Sequence, residues 1–168
     1  FLARFPNVEA LAKAREEDVL ELWAGLGYYS RARNLHKAAG LIVHQHGHFP
    51  SDFDAILALP GIGRYTAGAI GSIAFNQPRP VVDGNIRRVI SRLHALRKRT
   101  PEGYFWSRMA EWIPLKEPSA FNQAMMELGA TICLPLQPRC PDCPLESLCQ
   151  GRRLGIQNDI PSARAKQP

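Results

Sequence analysis

The sequence predicts an all-α fold, on three observations. Apolar residues recur at intervals of three and four along nearly the whole chain of 168 residues. No alternating pattern survives beyond short ambiguous runs such as RPVV at 79–82, and there is neither an internal repeat nor a low-complexity stretch. Spacing of that kind puts one face of a helix toward a core, whereas a half-buried strand needs strict alternation.

Taken in order, Asn7 is placed to cap a short helix with Val8, Leu11 and Ala12 inward. The next helix, 15–24, buries Val19, Leu20, Leu22 and Trp23, and Gly25 and Gly27 end it. A longer helix follows GLGYY, with Leu35, Ala38, Ala39 and Ile42 on one face. Ser51, three residues before Asp54, reads as a capping box for a helix that stops at Pro60. Further helices are predicted over 64–75, 84–96, 101–113 and 119–133. In the last, Phe121, Ala124, Met125, Leu128 and Ile132 repeat as core, so Met125 and Met126 carry no functional claim. The expected organisation is a helical domain over 1–76 containing a hairpin at 59–67, a second helical domain over 77–155, and a linker over 156–168 where periodicity is lost.

The chain carries 21 Lys and Arg against 15 Asp and Glu, a formal net charge of +6. That balance suits a polyanionic partner, nucleic acid first, or simply a soluble basic surface. No apolar run approaches the roughly 18 residues that a membrane-spanning helix needs. The opening FLARFP reads as the last turn of a helix already under way, so the chain is expected to be a fragment cut on its N-terminal side. His44, His46 and His48 in HQHGH read as a solvated cluster, since the glycine breaks any regular ligand geometry. All four cysteines fall within 133–149. Such crowding suggests a metal loop in a reducing compartment rather than a disulfide framework, and thiolates of this kind hold zinc or an iron–sulfur cluster.

The stretch LPGIGRYTAGAI, 59–70, has a Gly-x-Gly turn opening a helix. A phosphate-cradling loop of the strand–turn–helix type is excluded, because FDAILALP before it reads as helix. What remains is helix, hairpin, helix. Glycines there let another backbone approach closely, and the N–H groups that begin the second helix suit a phosphate oxygen bound without reading sequence. A plain packing corner is the alternative. Asp83, directly before Ile86, Val89, Ile90 and Leu93, reads from its spacing as a helix N-cap.

Three segments together resemble the helix-hairpin-helix DNA glycosylases of the endonuclease III superfamily: the Leu-Pro-Gly-x-Gly hairpin, VVDGNIRRVISRL at 81–93, and the spacing Cys133-x6-Cys140-x2-Cys143-x5-Cys149. Within it, GLGYYSRARNLH and FNQAMMELGATIC look like the adenine-removing, MutY-type branch. The resemblance runs along nearly the whole chain. It implies a barrel-like helical domain joined to an iron–sulfur helical domain, duplex DNA with an adenine mispaired to 8-oxoguanine or guanine as substrate, a 4Fe–4S cluster on the four cysteines, and a monomer acting in the compartment that holds the genome.

Cleaving an N-glycosidic bond builds positive charge on the sugar and requires a protonated leaving base, so one carboxylate near the sugar and one acid near the base form the natural pair. The resemblance assigns Asp83 to the sugar side. That role is compatible with capping, because a helix N-terminus favours negative charge. It assigns Asn85 to positioning water and the sugar, and Tyr28 to wedging beside the oxidised base once the target leaves the stack. Leu59, Gly61, Gly63 and Arg64 fall in the DNA-gripping hairpin, and Arg87 and Arg88 either meet phosphate or form a solvated basic face. In family members that also cut the strand, a lysine two residues past the second hairpin glycine attacks the sugar. Here that position is Tyr65, whose hydroxyl is suited to steady charge near Asp83. The resemblance also implies a general-acid glutamate followed by Gln-Gln-Thr. Glu9, Glu16, Glu17 and Glu21 do not stand in that context, so the expected segment lies ahead of Phe1 and the piece alone is expected not to turn over.

Overall fold

A computed structural model of the chain describes residues Phe1–Pro161. Among them there is no strand, and no helix is long and apolar enough to cross a membrane. The described chain forms two compact units that divide after Ala67.

The first unit holds α1 (Val8–Ala12), α2 (Glu16–Leu22), α3 (Ser30–Leu41) and α4 (Phe53–Leu57). Asn7 caps α1 as its position predicts, its side chain accepting from the Ala10 N–H at 2.8 Å. Phe5, Leu11, Val19, Ala32 and Ala39 close one core, with Val8, Ala12, Leu20 and Trp23 packed on it. Ala38, Ile42 and Leu59 form a second, smaller one. Leu22 and Leu35 are exposed rather than buried. The inward positions of α3 are the alanines, so this helix approaches its neighbours too closely for a leucine on that face. After Leu41 the helix widens into a π turn, Ile42–His46, and stops at Gly47 in the left-handed region. The cap of α4 is Asp52, not Ser51: its carboxylate accepts from the Asp54 and Ala55 N–H groups at 3.1 and 3.0 Å.

α5 (Arg64–Phe75) runs across the division. The second unit continues with α6 (Gly84–Leu93), α7 (Glu102–Trp112), α8 (Pro118–Glu127) and the short α9 (Gln150–Arg153). Its core is Val81, Val82, Ile86, Val89, Ile90, Phe105, Trp106, Met109, Met125 and Leu128, which makes Met125 the packing residue that its spacing predicts. α6 ends at Leu93, short of Leu96, because the Leu96 N–H turns back to the Ser91 carbonyl and Ala95 takes a positive φ of 51°. α8 likewise ends early and opens into a π turn, Leu128–Ile132, that delivers Cys133. Of the expected linker, 156–161 is seated rather than loose: Ile156 and Ile160 are buried, and the Ile160 carbonyl accepts from Arg92. The remainder, 162–168, lies outside the described residues.

Candidate functional site

α4 ends at Leu57 with Ala58 as its C-cap, short of the stop expected at Pro60, and the hairpin is then fixed from below. Leu59 is only 4% exposed and, with Ile62, anchors the turn on Ala38 and Ile42. Leu59 is therefore removed from the DNA-facing set; its contribution is packing. The Ile62 N–H donates to the Leu59 carbonyl at 3.1 Å, closing the turn. Gly61 has φ +78°, and a Cβ there would sit 2.7 Å from the Asn34 Cβ, so both conformation and space demand glycine. Gly63 differs: nothing lies within 4 Å of where its Cβ would be. Gly63, Arg64 and Tyr65 are exposed where α5 begins. In the same unit, Tyr28 is 82% exposed and held at φ +47° beside Gly27, whose carbonyl accepts from the Trp23 indole at 3.1 Å. An exposed aromatic presented by a strained, anchored turn is not serving as packing.

At the start of α6, Asp83 Oδ1 accepts from the Ile86 N–H at 2.7 Å, the cap that its spacing predicts. One carboxylate oxygen suffices for that bond. Asn85 Oδ1 accepts from Arg88 Nη2 at 2.9 Å, which turns the amide's own donors away from Arg88. Arg87 grips Glu102, with Nη2 at 2.5 Å from the carboxylate in a partly exposed pair. Arg88 points inward: Nε donates to the Cys133 carbonyl at 2.7 Å and Nη2 to the Gly129 carbonyl at 2.6 Å. Burial pushes the pKa of its guanidinium down from its ordinary value, with Cys133 acting in the opposite direction. With Nε and Nη2 engaged by two backbone carbonyls and Asn85, Arg88 is not counted among the phosphate contacts. A buried amide braces the approach to Asp83, since Asn122 donates to the Arg79 carbonyl at 2.8 Å.

The four cysteines are free thiols in the second unit, all half-buried. Cys133 leaves the π turn, 3-10 turns cover Cys140–Asp142 and Glu146–Leu148, and Cys149 opens α9. Burial pushes the Cys140 and Cys143 thiols up. For Cys140, Arg152 offsets part of this, while Cys149 and Cys133 add to it; for Cys143, a backbone hydrogen bond offsets part, while Cys133, Cys149 and Cys140 add to it. The thiols thus feel one another as a group, although among the described residues no three His, Cys, Asp or Glu side chains stand close enough to grip a metal ion as they are. Crowded, half-buried thiols that would repel as thiolates fit a cation-rich centre that takes up their charge. Arg139 and Arg152 are paired at the surface with Asp142 and Glu146.

The residue with no signal in the sequence is Arg92. It is 2% exposed and lies on α6 beneath the cysteine segment. Nε donates to the Ile160 carbonyl at 2.8 Å, Nη1 to the Leu134 carbonyl at 2.6 Å and to Cys133 Sγ at 3.3 Å, and Nη2 to the Pro135 carbonyl at 3.0 Å. The pattern offers a hint only in retrospect: Asn85, Arg88 and Arg92 share one face of a helix whose other buried positions are aliphatic apart from Ser91.

Residues 1–114 match the family described as HhH-GPD superfamily base excision DNA repair proteins. The human adenine DNA glycosylase is 45% identical over 166 residues, covering 95% of this chain and 30% of that protein. Its counterpart in Buchnera aphidicola (subsp. Acyrthosiphon pisum) is 42% identical over 154 residues, covering 89% of this chain and 44% of that protein. The chain therefore spans less than half the length of these curated relatives. Among solved structures, a thermostable thymine-DNA glycosylase superposes with a TM-score of 0.84 at 27% identity, covering 92% of this chain and 73% of that one. A non-covalent endonuclease III–DNA complex gives 0.79 at 28% identity, covering 93% and 74%.

Proposed function

The chain belongs to the HhH-GPD superfamily of base excision DNA repair proteins, and from that premise we propose that it is the core of a monofunctional adenine DNA glycosylase acting on adenine opposite 8-oxoguanine or guanine. The observation that carries the reading is identity of 38–45% with adenine DNA glycosylases along some nine-tenths of the chain. Gly61 and Gly63 present the α5 N-terminus to the DNA backbone, with Arg64 adding charge, and Tyr28 enters beside the base opposite the flipped adenine. Asp83 faces the positive charge that grows on the sugar as the glycosidic bond lengthens. Asn85, its carbonyl oxygen occupied by Arg88, has its amide donors left for the sugar or the attacking water. The four cysteines bind a 4Fe–4S cluster, which ties a segment without its own core into the second unit.

The full-length protein tests this on duplexes with a single A:8-oxoguanine or A:G pair. Asp83→Asn is expected to abolish adenine release while leaving duplex binding within about threefold, the binding energy residing chiefly in phosphate contacts. Tyr65 lacks the amine needed for a Schiff base, so borohydride should trap almost no protein on DNA, and Tyr65→Lys should raise trapping. Efficient trapping by the wild type would favour instead a bifunctional glycosylase/lyase, the reading closer to the endonuclease III complex that this fold resembles.

A further inference from the structure

We infer that Arg92 is the positioning residue of the iron–sulfur centre, both the bracket that preassembles its ligands and its buried counter-cation; this rests on the cluster reading above. Two observations carry it. First, a single residue holds both ends of the ligand segment. Its side chain reaches the Cys133 sulfur and the next two carbonyls, while its main-chain carbonyl lies 3.5 Å from Cys149 Sγ, so the two outer ligands are both against this one residue. The same carbonyl seats α9 at a distance only glycine permits, since a Cβ on Gly151 would lie 2.7 Å from it. The side chain then reaches past the ligands to Ile160. Cys140 and Cys143 lie inside that bracket in sequence. A planar fork with five donors can serve these separated acceptors at once; a lysine, with three donors at one point, cannot.

Second, the charge is unexplained by the protein alone. Arg92 is buried, and its hydrogen-bond partners are three carbonyls and a sulfur, with no carboxylate among them. A buried cation without an anion is costly. An iron–sulfur cube bound by four thiolates is an anion, and an N–H donated to a ligating sulfur is one of the features that set such a centre's potential. Arg92 thus supplies at Cys133 the complementary charge that an acidic side chain would otherwise have to receive.

The test uses the full-length protein purified without oxygen, as wild type, Arg92→Met and Arg92→Lys. Iron release to bathophenanthroline is followed by colour, together with iron and sulfide content and the cluster's reduction potential. Arg92→Met should release iron about tenfold faster or more and shift the potential to more negative values, because the cation that favours the more negatively charged reduced form is gone. Arg92→Lys keeps the charge without the bracket, so iron should leave faster while the potential stays near wild type. A residue that was merely core would change melting temperature and leave the potential alone. Should Arg92→Met not fold, Arg92→Lys still decides: wild-type iron retention in it overturns the bracket. Retention and potential both unchanged in Arg92→Met overturn the inference entirely. Wild-type protein without iron or sulfide would instead overturn the cluster reading on which it rests.

Discussion

The hairpin at 59–63 and the cysteine segment at 133–149 are both too short to own a core, and they are held by opposite means. The hairpin closes on its immediate surroundings: a Leu59–Ile62 backbone bond, a left-handed glycine, and two aliphatic side chains set into α3 and the turn after it. The cysteine segment takes its order from two side chains of α6: Arg92, 41 to 43 positions earlier, reaches Cys133, Leu134 and Pro135, and Arg88 reaches the Cys133 carbonyl. A turn fixed locally is sensitive at the residue whose conformation is special and at the side chains that seat it, all within a few positions of one another. A loop hung on distant buried donors loses its order when those donors are lost, and no residue within the loop shows the weakness.

The sharpest way to break this contrast is at the glycines. Gly61→Ala combines a disfavoured φ with a clash on Asn34 and should cost about 3 kcal/mol in urea denaturation of the first unit. Gly151→Ala, pressed against the Arg92 carbonyl but free of a conformational penalty, should cost about 2 kcal/mol and speed iron loss. Gly63→Ala meets open space and should change stability by less than about 0.5 kcal/mol while weakening duplex binding, as its proposed place at the DNA backbone requires. Equal costs at Gly61 and Gly63 would mean that the hairpin's shape does not reside in one residue.

A smaller effect separates the arginines. Arg64→Ala should lower the slope of log affinity against log salt by about 0.9, the loss of one phosphate contact. Arg88→Ala should destabilise the protein by leaving the Cys133 and Gly129 carbonyls unpaired, with the slope unchanged. A reduced slope in Arg88→Ala would return it to the DNA-contact set. The smallest effect concerns the far end of the helix that carries Arg92. His94 Nδ1 meets the Tyr104 hydroxyl at 2.9 Å, and Trp112 covers its ring. Burial, then Arg108, lower its pKa from 6.5, with Glu111 opposing. A folded-state pKa below the unfolded value contributes stability fully above pH 6.5 and loses it as pH falls through the folded value. Thermal melts from pH 7.5 to 5 should therefore show a decline that His94→Gln flattens.

How much of this was legible depended on the range of the interaction. The α6 cap at Asp83, the hairpin glycines and the Met125 packing position are all set within a few residues, and spacing reveals them. A single-residue shift was enough to misplace the α4 cap, because Ser51 and Asp52 are both competent and only the backbone chooses. Leu22 and Leu35 are exposed where burial is expected, because periodicity identifies an apolar position without saying whether a neighbour arrives to cover it; Leu59, expected at the DNA face by resemblance, is covered by Ala38 and Ile42.

By itself the sequence determined the helical class, the hairpin, the helix that Asp83 caps and the crowding of four cysteines, since these follow from local conformation and from spacing along the chain. Only the tertiary structure decided which arginines face out and which turn inward. Arg87, Arg88 and Arg92 are indistinguishable as letters on α6. Their fates diverge because Glu102, the Gly129 and Cys133 carbonyls, and the carbonyls from Leu134 to Ile160 reach different sides of the helix, and a guanidinium goes where unpaired acceptors are brought to it.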